Sequence, residues 1–225
     1  YRSFVFSHSK SEPESTCKYI LMQNDYSPLM PGHVYHLYNH AVGSENLFRE
    51  DANYSYFLER YRKYISPVCR TFSYALMPNH FHLLVQVRQM EDIVPLAQPL
   101  KILTSLNEGA AYVMQQFSNL CNAYAKAYNK KYNRRGALFV DYIRRKMVDN
   151  THYFQQVVLY HHYNPVKHGF CDKPYDYRFT SFSAYYNNQP SLLEREVVIG
   201  RFGGLAAFIA RHEGFNWRFE DDVDF

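Results

Sequence analysis

The chain has 225 residues, 47% of them hydrophobic and 20% charged. That suits one globular domain with an appendage and excludes a disordered chain. The formal net charge of +4 decides little alone, but no apolar run nears the ~20 residues of a membrane span, and four scattered cysteines with no CxxC pair exclude a zinc knuckle or a disulfide scaffold. Such cysteines fit a reducing compartment, nothing at the start resembles a secretory signal, and the expected location is the cytoplasm.

Taken in chain order, residues 1–30 read as a polar, irregular lead-in. Over 33–42, Val34, His36, Tyr38 and His40 alternate with Tyr35, Leu37 and Asn39, the period of a strand. GSEN is a turn. Tyr54, Phe57, Leu58, Tyr61, Tyr64 and Ile65 then fall on one helix face, which Pro67 ends. CRTFSYALM (69–77) and HFHLLVQVR (80–88) predict two strands joined at Pro78-Asn79 as an antiparallel hairpin. The stretch 91–100, with Pro95 and Pro99, is irregular. A long helix is predicted from Leu103 to Asn129, with Val113, Phe117, Leu120, Tyr124 and Tyr128 on one stripe. KKYNRRG is a basic turn, and LFVDYIRRKMV (138–148) a fourth strand. Asp149-Asn150-Thr151 caps a helix over 152–163 that stops at Asn164-Pro165. After Gly169 comes an aromatic loop, then two short helices split at Gly203-Gly204. This order predicts an α+β domain, a ferredoxin-like antiparallel sheet with helices packed on one face.

Three stretches carry chemistry. In MPNHFHLLVQV (77–87), strand alternation puts His80 and His82 on one face and Phe81 on the other. The two imidazoles sit roughly 6.5–7 Å apart along the strand, able to converge on one ion; alone, the pair reads equally as two ordinary histidines. In VVLYHHYNPVKHG (157–169), Tyr160 and Asn164 are i and i+4 on a helix, setting a phenol beside an amide oxygen. The phenol is a potential covalent nucleophile and the amide a hard ligand, although Tyr160 is one of 22 tyrosines. Residues 126–146 hold Lys126, Lys130, Lys131, Arg134, Arg135, Arg144, Arg145 and Lys146 against the single acid Asp141, a field that attracts polyanions. The chain's end, EDDVDF, is acidic instead. Aromatic residues, 18% of the chain, either fill the core or stack on unpaired bases.

Together, MPNHFHLL and YHHYNPVKHGF resemble the single-tyrosine HUH transposases, especially the REP-associated tyrosine transposase branch. That family has a Pro-Asn turn leading into His-hydrophobic-His on a central strand. Its nucleophilic tyrosine lies five residues before the proline of an Asn-Pro-Val-Lys-like segment. YHLYNHAVGSENLFRE, NRRGALFVDYIRRKMV and YRFTSFSAY match more loosely, so the likeness covers about residues 33–215. His161-His162 depart from it, standing where apolar residues are usual. The chain is also longer at both ends than compact members.

The resemblance implies a catalytic domain over 31–170, followed by an aromatic loop and short helices over 171–225. It implies Tyr160 as nucleophile and His80, His82 and Asn164 as ligands of a divalent ion, Mg²⁺ or Mn²⁺. Two imidazoles favour Mn²⁺ on affinity grounds. The implied reaction cleaves and rejoins single-stranded, hairpin-forming DNA through a 5′-phosphotyrosine, as in DNA transposition and recombination. It needs no ATP, and no P-loop motif is found. Lys130, Lys131, Arg134, Arg135, Arg144, Arg145 and Lys146 would contact DNA. A monomer is implied, with a homodimer the other arrangement. Three further readings stay open: a catalytically inactive hairpin-binding protein derived from such a transposase, a two-histidine non-haem iron oxygenase (for which no HxD or HxE motif is present), and a related replication or mobilisation nuclease, which Tyr163 keeps in view.

Overall fold

Both faces of the first strand, β1 (Val34–His40), are covered, and this shapes the architecture. The computed structural model describes residues 27–93, 103–140, 142–187 and 190–215. The lead-in before residue 27, the proline-bearing stretch 94–102, Asp141 and the acidic end lie outside the described residues.

Helix α1 (Asp51–Tyr64) starts at a capping box between Glu50 and Asn53 and buries Tyr54, Phe57 and Tyr61, the stripe read from the sequence. Strands β2 (Cys69–Met77) and β3 (His80–Val87) form the expected hairpin, with a register break between Thr71 and Ser73. Helix α2 (Leu106–Lys131) is capped by the Ser105 hydroxyl, which accepts from the Glu108 N–H. It buries Val113, Phe117, Leu120, Tyr124 and Tyr128. Strand β4 is only Arg144–Met147. The remainder of the expected 138–148 strand keeps one bridge, Ala41 to Phe139, because Tyr142 adopts a left-handed φ of 57°. The four strands pair antiparallel in the order β2-β3-β1-β4, the order of a ferredoxin-like sheet built from two split βαβ units.

The helices occupy both faces, not one. Tyr35, Leu37, Phe81, Leu83 and Val85 pack with α1 and α2 in one core. Val34, Phe72 and Leu84 pack with Phe154, Val157 and Val158 of helix α3 (Thr151–Lys167) in a second. Adjacent residues such as Leu83 and Leu84 point to opposite faces, so β3 demands cover on both sides. Each large apolar side chain so buried contributes about 1.5–3 kcal/mol.

Helix α3 also overruns its expected end. It continues through Pro165 to Lys167, and Asn164 and Pro165 are buried inside it. Pro165 withholds a single N–H, from the carbonyl four residues back. The chain closes the last turn by donating the His168 N–H to the Asn164 carbonyl and the Phe170 N–H to the Pro165 carbonyl. Asn164 therefore stays one helical turn from Tyr160.

Two short helices, α4 (Arg195–Arg201) and α5 (Leu205–Glu213), follow, separated at Gly203-Gly204 as read from the sequence. Buried imidazoles dock α5 on α3. His212 Nδ1 lies 2.7 Å from the Phe208 carbonyl and must donate to it. Its Nε2 then accepts from His162 Nδ1 at 2.8 Å. His162 Nε2 is left to accept from the Ser181 hydroxyl at 2.9 Å. Replacing His212 with Leu strands the His162 N–H in the core. Urea unfolding of His212→Leu should show a loss of about 1–3 kcal/mol; unchanged stability would remove the clamp from this account.

Candidate active site

Register sets the site. On β1 and β3, His40 lies opposite His80 and Tyr38 opposite His82, so these side chains and His36 share the sheet face that α3 covers. Helix α3 brings the Tyr160 hydroxyl to 3.4 Å from His82 Nε2 and Asn164 Oδ1 to 3.2 Å from His80 Nε2. His40 stacks on His80 with ring centroids 4.8 Å apart, and His168 meets His80 edge-on. A cleft of about 450 Å³ opens here, lined by Tyr38, His40, His80, His82, Tyr160 and His168, with Phe170 at its side.

Burial keeps His80, His82 and His36 neutral. It is the largest cause for His80, with His40 adding to it, and holds the ring down to about 3. Burial, reinforced by neighbouring imidazoles, holds His82 and His36 well below the usual histidine value. Neutral rings have a lone pair for a ligand. His80 Nδ1 lies 2.8 Å from Asn79 Oδ1. Donation to that oxygen leaves the Nε2 lone pair facing Asn164 Oδ1, a second acceptor. Meanwhile Asn164 Nδ2 is buried with no hydrogen-bond partner among the described residues. Two acceptors facing each other at 3.2 Å sit close to the ~3 Å that separates neighbouring ligands of an ion with bonds of about 2.1 Å. The donor set therefore fits a divalent cation.

Deeper, His36, His82 and His161 offer ring nitrogens that all lie within 4.8 Å of one another. Such a trio can also hold a metal ion. The sequence reading missed His36 and gave His161 no definite place. His36 carried one readable signal, its shared parity with His40 on β1.

The remaining expected residues divide. His162 belongs to the α5 clamp, and the Tyr163 hydroxyl donates to the His212 carbonyl, so neither enters the cleft. Arg144 pairs across from Tyr38 and Lys146 across from His36, on the site face. Arg145 points the other way. It is buried, with its guanidinium on the Ser27 carbonyl and the Met114 sulfur, which removes it from a DNA surface. Lys130 and Arg135 are exposed. Lys131 pairs with Glu50, and Arg134 with Glu45 at 3.3 Å. The Lys131–Glu50 pair is exposed and contributes little to stability, whereas Arg134 is largely covered in its pair. Glu45 and Glu50 line a groove that shares Asn46 and Pro78 with the Tyr160 cleft.

No family model matches the chain, and no curated protein matches it. Among solved structures, a REP-associated tyrosine transposase bound to a REP hairpin is similar at 14% identity and a TM-score of 0.49, over 75% of this chain and 89% of that one. A likeness so distant carries no function across. No helix among the described residues is long and apolar enough to cross a membrane.

The histidine layer has a consequence for stability. Folded-state values lie below the unfolded value of about 6.5, at about 3 for His80 and His161 and about 4 for His212. Between those limits the unfolded chain binds more protons, so stability rises with pH. The contribution is complete above pH ~6.5 and is lost as pH falls toward 3. Urea midpoints measured in chelator should therefore drop steadily from pH 7 to pH 4, with a slope exceeding one proton. A flat profile over that interval would contradict the neutral assignment.

Proposed function

We propose that the chain is a DNA strand transferase and nuclease of the single-tyrosine HUH kind, acting on single-stranded DNA that carries a hairpin. The observation that supports this best is the meeting of Tyr160, His82, His80 and Asn164 in one cleft. These are the residues that the motif resemblance nominates. They come together although His82 and Tyr160 are 78 residues apart in the sequence.

On this reading, His80 Nε2, His82 Nε2 and Asn164 Oδ1 would hold Mg²⁺ or Mn²⁺, which when bound would supply Lewis-acid polarisation of the scissile phosphate. The protein's own part is positional. Helix α3 sets the Tyr160 side chain at the wall of the cleft, through which its proton would pass to solvent as the phenol attacks phosphorus. The Lys167 ammonium lies 5.9 Å from the Tyr160 ring centre, on the side of the phenol that a phosphate would meet. The Tyr160 O–P bond forms as the P–O3′ bond breaks. The freed 3′ oxygen takes a proton, and the 5′ phosphate remains on the tyrosine. A second 3′-OH reverses the step and joins new ends. The bond energy is conserved throughout, so no nucleotide cofactor is required.

Arg144 and Lys146 on the site face, with the exposed cations of the α2–β4 turn, are suited to the DNA backbone. Phe170, half exposed beside the cleft, offers a ring for an unpaired base. Both halves of the cleft come from one chain, which favours a monomer as the acting unit.

Labelled hairpin oligonucleotides incubated with Mn²⁺ should yield a covalent adduct that maps to Tyr160. Tyr160→Phe should lower adduct formation by at least about 10³-fold while hairpin binding is retained. Binding without any adduct from the unaltered protein would leave a hairpin-binding module in place of the enzyme. An adduct on another tyrosine would remove Tyr160 from its role. The double variant Arg144→Ala, Lys146→Ala should weaken binding across sequences and flatten the slope of log K against log salt by about 1–2. An unchanged slope would place the phosphate contacts elsewhere.

A further inference from the structure

The hydrogen bond between His36 Nε2 and His82 Nδ1, 3.1 Å long, accounts for two of the three deep imidazoles as core partners. It does not account for the third. His161 is fully buried, and its Nδ1 sits 2.8 Å from the Ser73 hydroxyl. Its Nε2 is buried with no hydrogen-bond partner among the described residues. When Nδ1–H donates to Ser73, the Nε2 carries a bare lone pair; when it accepts instead, the Nε2 carries a stranded proton. The first arrangement is the one a metal-ligating histidine uses, with a neighbouring oxygen fixing the ring. The His161 ring centre lies 4.9 Å from that of His36 and 5.7 Å from that of His82.

We propose that His36, His82 and His161 form an inner metal site for a zinc-like ion, and that occupancy of this site withdraws His82 from the cleft and switches the cleft off. The second half rests on the function proposed above; the first does not. Ligand nitrogens on a tetrahedral ion with bonds of 2.0–2.1 Å stand roughly 3.4 Å apart. The His36–His82 pair already stands at 3.1 Å. The widest gap in the trio, at most 4.8 Å, needs to close by about 1.5 Å, which side-chain rotation supplies. Three imidazoles without a carboxylate select Zn²⁺ and its neighbours over Mg²⁺, which prefers oxygen. The fourth position is left to water.

The coupling follows from one lone pair. His82 faces His36 through Nδ1 and Tyr160 through Nε2. A neutral imidazole has one unprotonated nitrogen. If Nδ1 binds the inner ion, the proton sits on Nε2, which can no longer ligate an ion in the cleft. The two occupancies exclude each other, and the relevant ions differ in kind.

Co²⁺ added to the chelator-treated full chain reads this directly through the visible absorption of a nitrogen-bound, four- or five-coordinate ion. The unaltered protein should bind one Co²⁺, displaced by Zn²⁺ and not by Mg²⁺. His161→Gln and His36→Gln should each weaken that binding at least about tenfold, and Ser73→Ala should weaken it with all three ligands kept. The double variant His80→Ala, Asn164→Ala should keep it. Circular dichroism checks that each variant is folded. No Co²⁺ band in the unaltered protein, or a band lost in the double variant and kept in His161→Gln, overturns the inner site. For the coupling, Zn²⁺ should suppress Mn²⁺-supported adduct formation in the unaltered protein, and His161→Gln should relieve the suppression; suppression untouched by His161→Gln overturns it. If no adduct forms under any condition, the proposed function has failed, and the Co²⁺ spectrum still decides the inner site.

Discussion

A buried layer of neutral imidazoles between the sheet and α3 is the constraint on which the rest turns. A charged ring cannot stay in that layer, because burial removes its hydration. A neutral ring has one donor and one acceptor, so whichever neighbour claims one nitrogen decides what the other can do. Asn79 claims Nδ1 of His80, Ser73 claims Nδ1 of His161, and the Phe208 carbonyl claims Nδ1 of His212. With Nδ1 as the donor in each case, ordinary hydrogen bonds aim lone pairs toward Asn164, toward the deep trio and toward His162. The site chemistry is a consequence of how the core satisfies its polar atoms.

Charge at the edge of this layer works in two directions. Lys146 adds to the forces that hold His36 neutral, and Arg144 does the same for His40. The same two cations lie on the site face of β4, opposite Tyr38 and His36 of β1. One placement of charge thus reinforces what burial does to the rings and sets a positive field on the site face. Strand parity makes this possible, because it sends Arg144 and Lys146 to the site face and Arg145 into the opposite core. The basic run reads as a single patch in the sequence, yet the sheet divides it by function.

What was legible follows from local periodicity. The alternation through His80, Phe81 and His82, the i, i+4 spacing of Tyr160 and Asn164, the stripe on α2 and the Gly203-Gly204 break all survive folding, because each depends only on a residue's own element. What was not legible depends on two elements at once. The sheet face that α3 covers could not be read, because both parities of β1 and β3 are buried and the histidines of one parity read equally as a solvated face. Arg145 looked like its neighbours, because β4 is too short to show its period. The stop expected at Asn164-Pro165 failed, because a proline near a helix end costs one hydrogen bond, and burial of the Asn164 side of the helix outweighs it. His36 and His161 meet only once register and helix placement are both known.

The unusual run Tyr160-His161-His162-Tyr163 makes sense in the same terms. Successive helix residues point about 100° apart, so four in a row address the whole circumference. A helix exposed on one side would leave at least one of them in water. Here Tyr160, His161 and His162 are all buried, and Tyr163 is half-buried. Each has its own destination: the cleft, the deep trio, the His212 clamp and the α5 carbonyl. Apolar residues at 161 and 162 would pack, but they would leave Ser73, Ser181 and His212 without their imidazole partners. The two histidines thus supply the polar contacts of a stretch of α3 that is covered on nearly every side. They tie the placement of Tyr160 to the docking of α5, so that loosening the C-terminal helices disturbs the helix that carries the phenol.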